Sequence, residues 1–171
     1  MASNLGELIQ AIRKIRNEKI AVITNASLMD QDDVHRDLAL ADYVLAKLDA
    51  CSQEMLLEID HPENNLHFTK IVQGIINFRK YFSGKLALQI MFMKENKNYA
   101  DDIARIAREI QPDEVQINTP LRKSAVQPLS EEELSNIKRY FYDLPVVSVY
   151  EKERRNETPM DQKATVKRHG R

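Results

Sequence analysis

The chain has 171 residues, 43% of them hydrophobic and 30% charged, and Lys+Arg at 25 against Asp+Glu at 26 leaves a net charge of −1. At about 100–200 residues per domain this is one domain with or without a tail, and the near-neutral balance gives no bulk pull toward nucleic acid or a membrane. One cysteine, Cys51, excludes an internal disulfide and points to a reducing cytoplasm, and four scattered glycines (Gly6, Gly74, Gly84, Gly170) exclude a P-loop and a dinucleotide fingerprint.

The predicted elements alternate from end to end. Leu5, Leu8, Ile9, Ile12 and Ile15 repeat at helical spacing, with basic Arg13, Lys14 and Arg16 toward the C-terminal end of the dipole. Residues 19–24 (KIAVIT) read as a strand, 34–41 as a short helix and 43–49 (YVLAKLD) as a second strand. A small helix near 53–59 precedes the turn-like run at 61–65. The strongest helix follows, with the core stripe Phe68, Ile71, Val72, Ile75, Ile76 and Phe82 and with Gly84 as its stop. Residues 86–93 (LALQIMFM) form a third strand, 99–110 a helix ended by Pro112, and 114–118 (EVQIN) a fourth strand. Ser130 followed by Glu131, Glu132 and Glu133 is an N-cap with first-turn acids, and 145–150 (PVVSVY) is a fifth strand.

Strands alternating with helices imply βαβ units and a parallel sheet. An eight-unit barrel takes about 250 residues, so residues 1–150 hold about five units of a partial TIM-like α/β barrel. Residues 151–171 carry seven Lys/Arg against four acids with little apolar content, and read as a basic, flexible tail.

A strand buried on both faces should be nearly all hydrophobic. Here polar residues enter near the C-terminal ends: Thr24-Asn25, then Lys47 and Asp49, then Gln89 with Met91 on its face and Lys94 beyond, then Gln116 and Asn118. Ligands of parallel α/β folds sit at these strand ends. A buried Lys or Asp needs a partner, water or a ligand, and four strands with one placement indicate a shared polar lumen. Other candidates are explained structurally. Asp30, Asp32, Asp33 and His35 lack the glycine and terminal Glu of a calcium loop and suit a helix N-terminus. His61 and His67 form no triad arrangement, Cys51 reads as a small buried thiol at a strand end, and Met91 and Met93 read as core.

The ordered motifs Ile23-Thr24-Asn25, Ala46-Lys47-Leu48-Asp49-Ala50, Gln89-Ile90-Met91-Phe92-Met93-Lys94 and Val115-Gln116-Ile117-Asn118-Thr119-Pro120 resemble the later part of a radical S-adenosylmethionine domain. Pro128-Leu129-Ser130-Glu131-Glu132-Glu133-Leu134 fits as well, and the likeness covers about residues 5–150. The closest resemblance is to the iron–sulfur oxidoreductase branch that includes wybutosine-synthesis and glycyl-radical-activating-type proteins. It implies a partial barrel in which a 4Fe–4S cluster cleaves S-adenosylmethionine to a 5′-deoxyadenosyl radical. It also implies that Asn25, Lys47, Asp49, Gln89 and Asn118 face cofactor or substrate through ribose and carboxylate contacts. Two family features are absent: the CxxxCxxC cluster loop and the glycine-rich stretch that meets the cofactor's amino group. Ala26 stands where a Gly commonly follows Thr-Asn.

Three readings follow. The first is the C-terminal portion of a radical S-adenosylmethionine barrel, without cluster ligands of its own and so not catalytically complete alone, which needs the remaining barrel segment in cis or in trans. The second is a non-catalytic binding or regulatory module that dimerises or docks a partner through an open sheet edge at residues 19–24. The third is a small complete enzyme using Lys47 as a Schiff base or Asp49 as a general base. The basic tail hints at RNA, which the net charge does not support, and no apolar stretch of membrane-spanning length is present.

Overall fold

A computed structural model describes residues 4–62, 66–121 and 126–151. Five strands, β1 (Ala21–Thr24), β2 (Tyr43–Lys47), β3 (Lys85–Met91), β4 (Glu114–Asn118) and β5 (Val146–Ser148), form one sheet in the order β1-β2-β3-β4-β5. Every neighbouring pair is parallel. The connecting helices are α1 (Leu5–Ile15), α2 (Asp32–Leu38), α3 (Gln53–Ile59), α4 (Phe68–Tyr81), α5 (Ala100–Ile110) and α6 (Glu131–Lys138). Sequential strand order with a crossover at each step is the wall of a (β/α) barrel, here five strands wide, as the alternating pattern predicts. The basic tail lies outside the described residues except for Glu151.

The two faces of the sheet have different fates. Val44, Ala46, Leu48, Leu86, Leu88, Ile90, Val115 and Ile117 join the helices' Ile9, Leu38, Ile75, Phe78, Ile103, Ile110, Leu134 and Phe141 in one core. Each fully buried Val, Leu, Ile or Phe among them contributes about 1.5–3 kcal/mol. The alternate residues, among them Ile23, Tyr43, Lys47, Gln89, Met91, Gln116 and Asn118, lie outside that core on an open face.

Local chemistry sets the boundaries. α6 starts on a capping box: Ser130 Oγ accepts from the Glu133 N–H at 3.2 Å and a Glu133 carboxylate oxygen accepts from the Ser130 N–H at 2.9 Å. α5 buries Ile103, Ile106, Ala107 and Ile110 and ends on Gln111 in the left-handed region (φ 54), with Pro112 next. α4 stops at Tyr81, three residues before the glycine that the sequence names as its stop. Phe82 is already extended there and stacks its ring on Phe78, 4.6 Å between centroids. Phe78, absent from the predicted stripe, is one of the largest fully buried side chains. Met91 and Met93, read as core from sequence, are half-buried, because Phe92 takes the inward position between them.

Candidate functional site

The C-terminal ends of β1 and β2 open on a cavity of about 580 Å³, walled by the segments that follow those strands and by α3 and α4. The β1 side is shaped by the turn after Thr24. The Ala26 N–H donates to Thr24 Oγ1 at 3.1 Å, and the Ser27 N–H and Oγ both donate to Asn25 Oδ1 at 3.2 and 2.9 Å. Ala26 sits at φ 61, a left-handed conformation that favours glycine, and it is fully buried. The residue type where the family resemblance expects Gly therefore changes while the turn is kept. The loop then runs against α4 so closely that a Cβ on Gly74 would meet the Met29 backbone at 2.5 Å. Across the cavity, Gln53 ties the α3–α4 connection: its Nε2 donates to the Leu66 carbonyl at 3.1 Å and its Oε1 accepts from the Phe68 N–H at 2.8 Å.

The charged centre belongs to the end of β2. Lys47 Nζ stands 3.1 Å from Asp49 Oδ2, and the Asp49 side chain is 5% exposed against 37% for Lys47. Asp49 Oδ1 accepts from the Met91 N–H at 2.7 Å. The buried carboxylate is thus held on both oxygens, while the ammonium reaches water at the cavity mouth. Asp60, on the same wall, keeps an exposed edge. Burial, and after it the charge of Asp49, pushes its carboxyl above the usual range, against the pull of Lys47 and His61.

Of the five residues singled out from sequence, Asn25, Lys47 and Asp49 line this cavity and Gln89 and Asn118 do not. The sheet register accounts for the difference. Lys47 aligns with Gln89 and Gln89 with Gln116 in one row, and Met91 aligns with Asn118 in the row above. In-register residues of a parallel sheet share a face, so Gln89 and Asn118 continue the polar surface away from the cavity along the open face. Both are half-buried, and neither side-chain amide has a hydrogen-bond partner among the described residues. Asp60 and Gln53 were not legible from the sequence, since each lies at an end of α3 where such residues are ordinary.

Of the weaker sequence candidates, Asp30 and His67 line the cavity, and the others have structural places. Asp32 and Asp33 occupy the first turn of α2, and the His35 imidazole contacts the carbonyls of Met29 and Gly74. Cys51 is half-buried rather than buried. Loss of water and then the Asp102 charge push its thiol up, away from thiolate reactivity. No group of three His, Cys, Asp or Glu side chains suited to a metal occurs among the described residues. No helix among the described residues is long and apolar enough to cross a membrane.

This fold is similar to that of solved proteins. A structure of Streptococcus suis SuiB bound to S-adenosylmethionine superposes with a TM-score of 0.64 at 13% identity, covering 84% of this chain and 35% of that one. A domain of pyruvate-formate lyase-activating enzyme from Bacteroides vulgatus gives 0.59 at 15% identity, covering 84% and 88%. A radical SAM methyltransferase from Sphaerobacter thermophilus gives 0.55 at 12%, covering 75% and 39%. The fold is that of radical SAM proteins. In sequence, the chain is 34% identical over 158 residues to a Brachyspira hyodysenteriae protein named GTPase Obg, covering 85% of this chain and 23% of that protein. It is 30% identical over 150 residues to a UPF0026 protein of Synechocystis (87% and 57%) and 32% identical over 122 residues to one of Methanocaldococcus jannaschii (70% and 38%). The chain thus spans between 23% and 57% of the length of these relatives. No protein-family model matches it.

Proposed function

We propose that this chain is the later part of a radical S-adenosylmethionine barrel, one that offers a strand-end rim to S-adenosylmethionine or its substrate while the cluster is held by residues outside these 171. One observation carries the reading: on a sheet of this fold, Lys47, Gln89 and Asn118 fall in adjacent rows at the C-terminal end of the open face, and Asp49, just beyond β2, accepts from the Met91 N–H in the upper row. The finer placement in the branch with wybutosine-synthesis and glycyl-radical-activating-type proteins rests on the order of the strand-end motifs. The likeness to a pyruvate-formate lyase-activating enzyme domain accords with it.

The donor set is suited to such a ligand. Lys47 offers a cation to a carboxylate, and Asn25, Gln89 and Asn118 offer amides to hydroxyls and ring nitrogens. Asp49, already bonded on both oxygens, orients Lys47 rather than meeting the ligand. Bound S-adenosylmethionine would supply the sulfonium chemistry, and this chain's part is to bind and orient. The 4Fe–4S cluster does not fit the residues present, because a lone Cys51 with a raised pKa cannot supply its thiolates. The name GTPase carried by one relative does not transfer, since this sequence has no phosphate-cradling glycine loop.

The test is a nuclear magnetic resonance titration of the purified chain with S-adenosylmethionine. Shifts are expected at the Gln89 and Asn118 side-chain amides and at Lys47, and their absence at millimolar ligand would overturn the reading. Anaerobic incubation with iron and sulfide should leave the chain colourless, and a stoichiometric cluster would sink the claim that its ligands lie elsewhere.

A second reading is favoured by the β1 edge. Ile23 is 70% exposed there, and Leu8 at 52% and Ile15 at 78% are exposed on α1. An edge strand that carries an exposed apolar side chain suits pairing with a second copy of this chain. A concentration-dependent dimer in sedimentation, abolished by Ile23→Lys, supports it, and a monomer throughout refutes it.

A further inference from the structure

The turn between β3 and α5 carries a polar side chain that is fully buried and does not line the cavity. Asn96 Nδ2 donates to the carbonyls of Asp49 at 2.8 Å and Met91 at 2.9 Å, and its Oδ1 accepts from the Met93 N–H at 2.8 Å. These backbone groups lie at or beyond the last ladder pairs of β2 and β3, where the sheet offers them no partner. Burying an amide is costly unless its donors and acceptor are all used, as they are here. A hydrophobic residue of the same size would fill the space and leave the strand ends untied. The neighbouring Lys97 extends the tie outward, placing Nζ 2.6 Å from Glu133 in the first turn of α6. One turn therefore joins the segments that follow β2 and β3 to the helix that follows β4.

We propose that Asn96 is the positioning residue of the strand-end rim: by clamping the Asp49 and Met91 backbones it fixes the Asp49 carboxylate, and through it the place of the Lys47 ammonium. Asp49 Oδ1 meets the Met91 N–H only while the two strand ends keep their spacing, and Oδ2 then remains as a fixed counter-charge for Lys47. Without that anchor, the flexible four-carbon stem of lysine sweeps many positions. The functional meaning rests on the rim being a ligand site, whereas the coupling itself is measurable without a ligand.

The experiment acetylates the full chain with an N-hydroxysuccinimide ester and follows each lysine by mass spectrometry. Asn96→Ser should raise the Lys47 rate about three- to tenfold and leave the exposed Lys14 and Lys80 unchanged. Asp49→Asn should give a similar rise, and adding Asn96→Ser to it should give no more. An unchanged Lys47 rate in Asn96→Ser, or rises that multiply in the double variant, overturns the proposal. Asn96→Thr stays neutral and keeps a hydroxyl acceptor in the turn, and serves with the same two outcomes should the serine variant fail to fold. Failure of S-adenosylmethionine to bind the unaltered chain would refute the cofactor reading and leave the acetylation result to decide this one.

Discussion

The open face of the sheet has a floor and a rim, built from the same residue types toward opposite ends. At the floor, Tyr43, Lys85 and Glu114 satisfy one another together with Gln116, whose side chain reaches down from the Gln89 row. Lys85 Nζ lies 2.7 Å from Glu114, and Gln116 Nε2 donates to Glu114 at 2.7 Å and to the Tyr43 hydroxyl at 3.0 Å. The Tyr43 hydroxyl in turn donates to Glu114 at 3.3 Å. At the rim, Gln89 and Asn118 have no side-chain partner among the described residues, and the Lys47 ammonium faces water. A polar cluster closed on itself holds structure, whereas one left with free donors is prepared for something else to complete it. In barrels the two ends divide in that way, with stability at the bottom and chemistry at the top.

The comparison breaks first at the floor. Glu114→Ala removes the charge that Lys85, Tyr43 and Gln116 share, and should cost about 2–3 kcal/mol in urea unfolding with no change in ligand binding at the rim. An unchanged midpoint would show that the floor carries no stability. The converse holds at the rim, where Gln89→Leu and Asn118→Leu should each stay within about 0.5 kcal/mol of the parent stability. If the rim is the ligand site proposed, they should nevertheless weaken S-adenosylmethionine binding about tenfold by calorimetry.

Two titrations sharpen the contrast with smaller effects. Burial first, and then Glu114, push the Tyr43 phenol up to about 12, so one of the six tyrosines should ionise late in an alkaline absorbance titration. Its folded pKa lies above the unfolded value. The neutral phenol therefore stabilises the fold below about pH 10, and that contribution fades as pH rises toward 12. Tyr43→Phe should flatten that alkaline loss. Glu133 is shifted the other way, to about 2, by Lys97 first and then by the Ser130 cap. Its contribution is present above the unfolded pKa of 4.5 and is lost as pH falls through about 2. Glu133→Gln should reduce the acid-side fall of the urea midpoint, by a small amount because the pair is solvated.

Much of this was legible from residue order. The β4 strand, the Ser130 cap and the alternation of strand and helix follow from periodicity and capping chemistry, which are local. Gly84, by contrast, is not the stop of α4, because Phe82 turns back onto Phe78 before the chain reaches it. The rim was legible in part. Polar residues inside apolar strands stand out, so Lys47, Asp49, Gln89 and Asn118 could be named. Asn96 could not, because it lies among Lys94, Glu95 and Lys97, where an asparagine is unremarked.

By itself, the sequence determined a parallel α/β sheet, a polar end to its strands and a cysteine count too low for a cluster. Only the tertiary structure decided that Asn25, Lys47 and Asp49 share one cavity while Gln89 and Asn118 stand beside it. Only there does the floor close on itself. Which strand-end groups find partners depends on register and on backbone approach across more than forty residues of chain, as between Asp49 and Asn96. Spacing along the sequence carries no record of those distances.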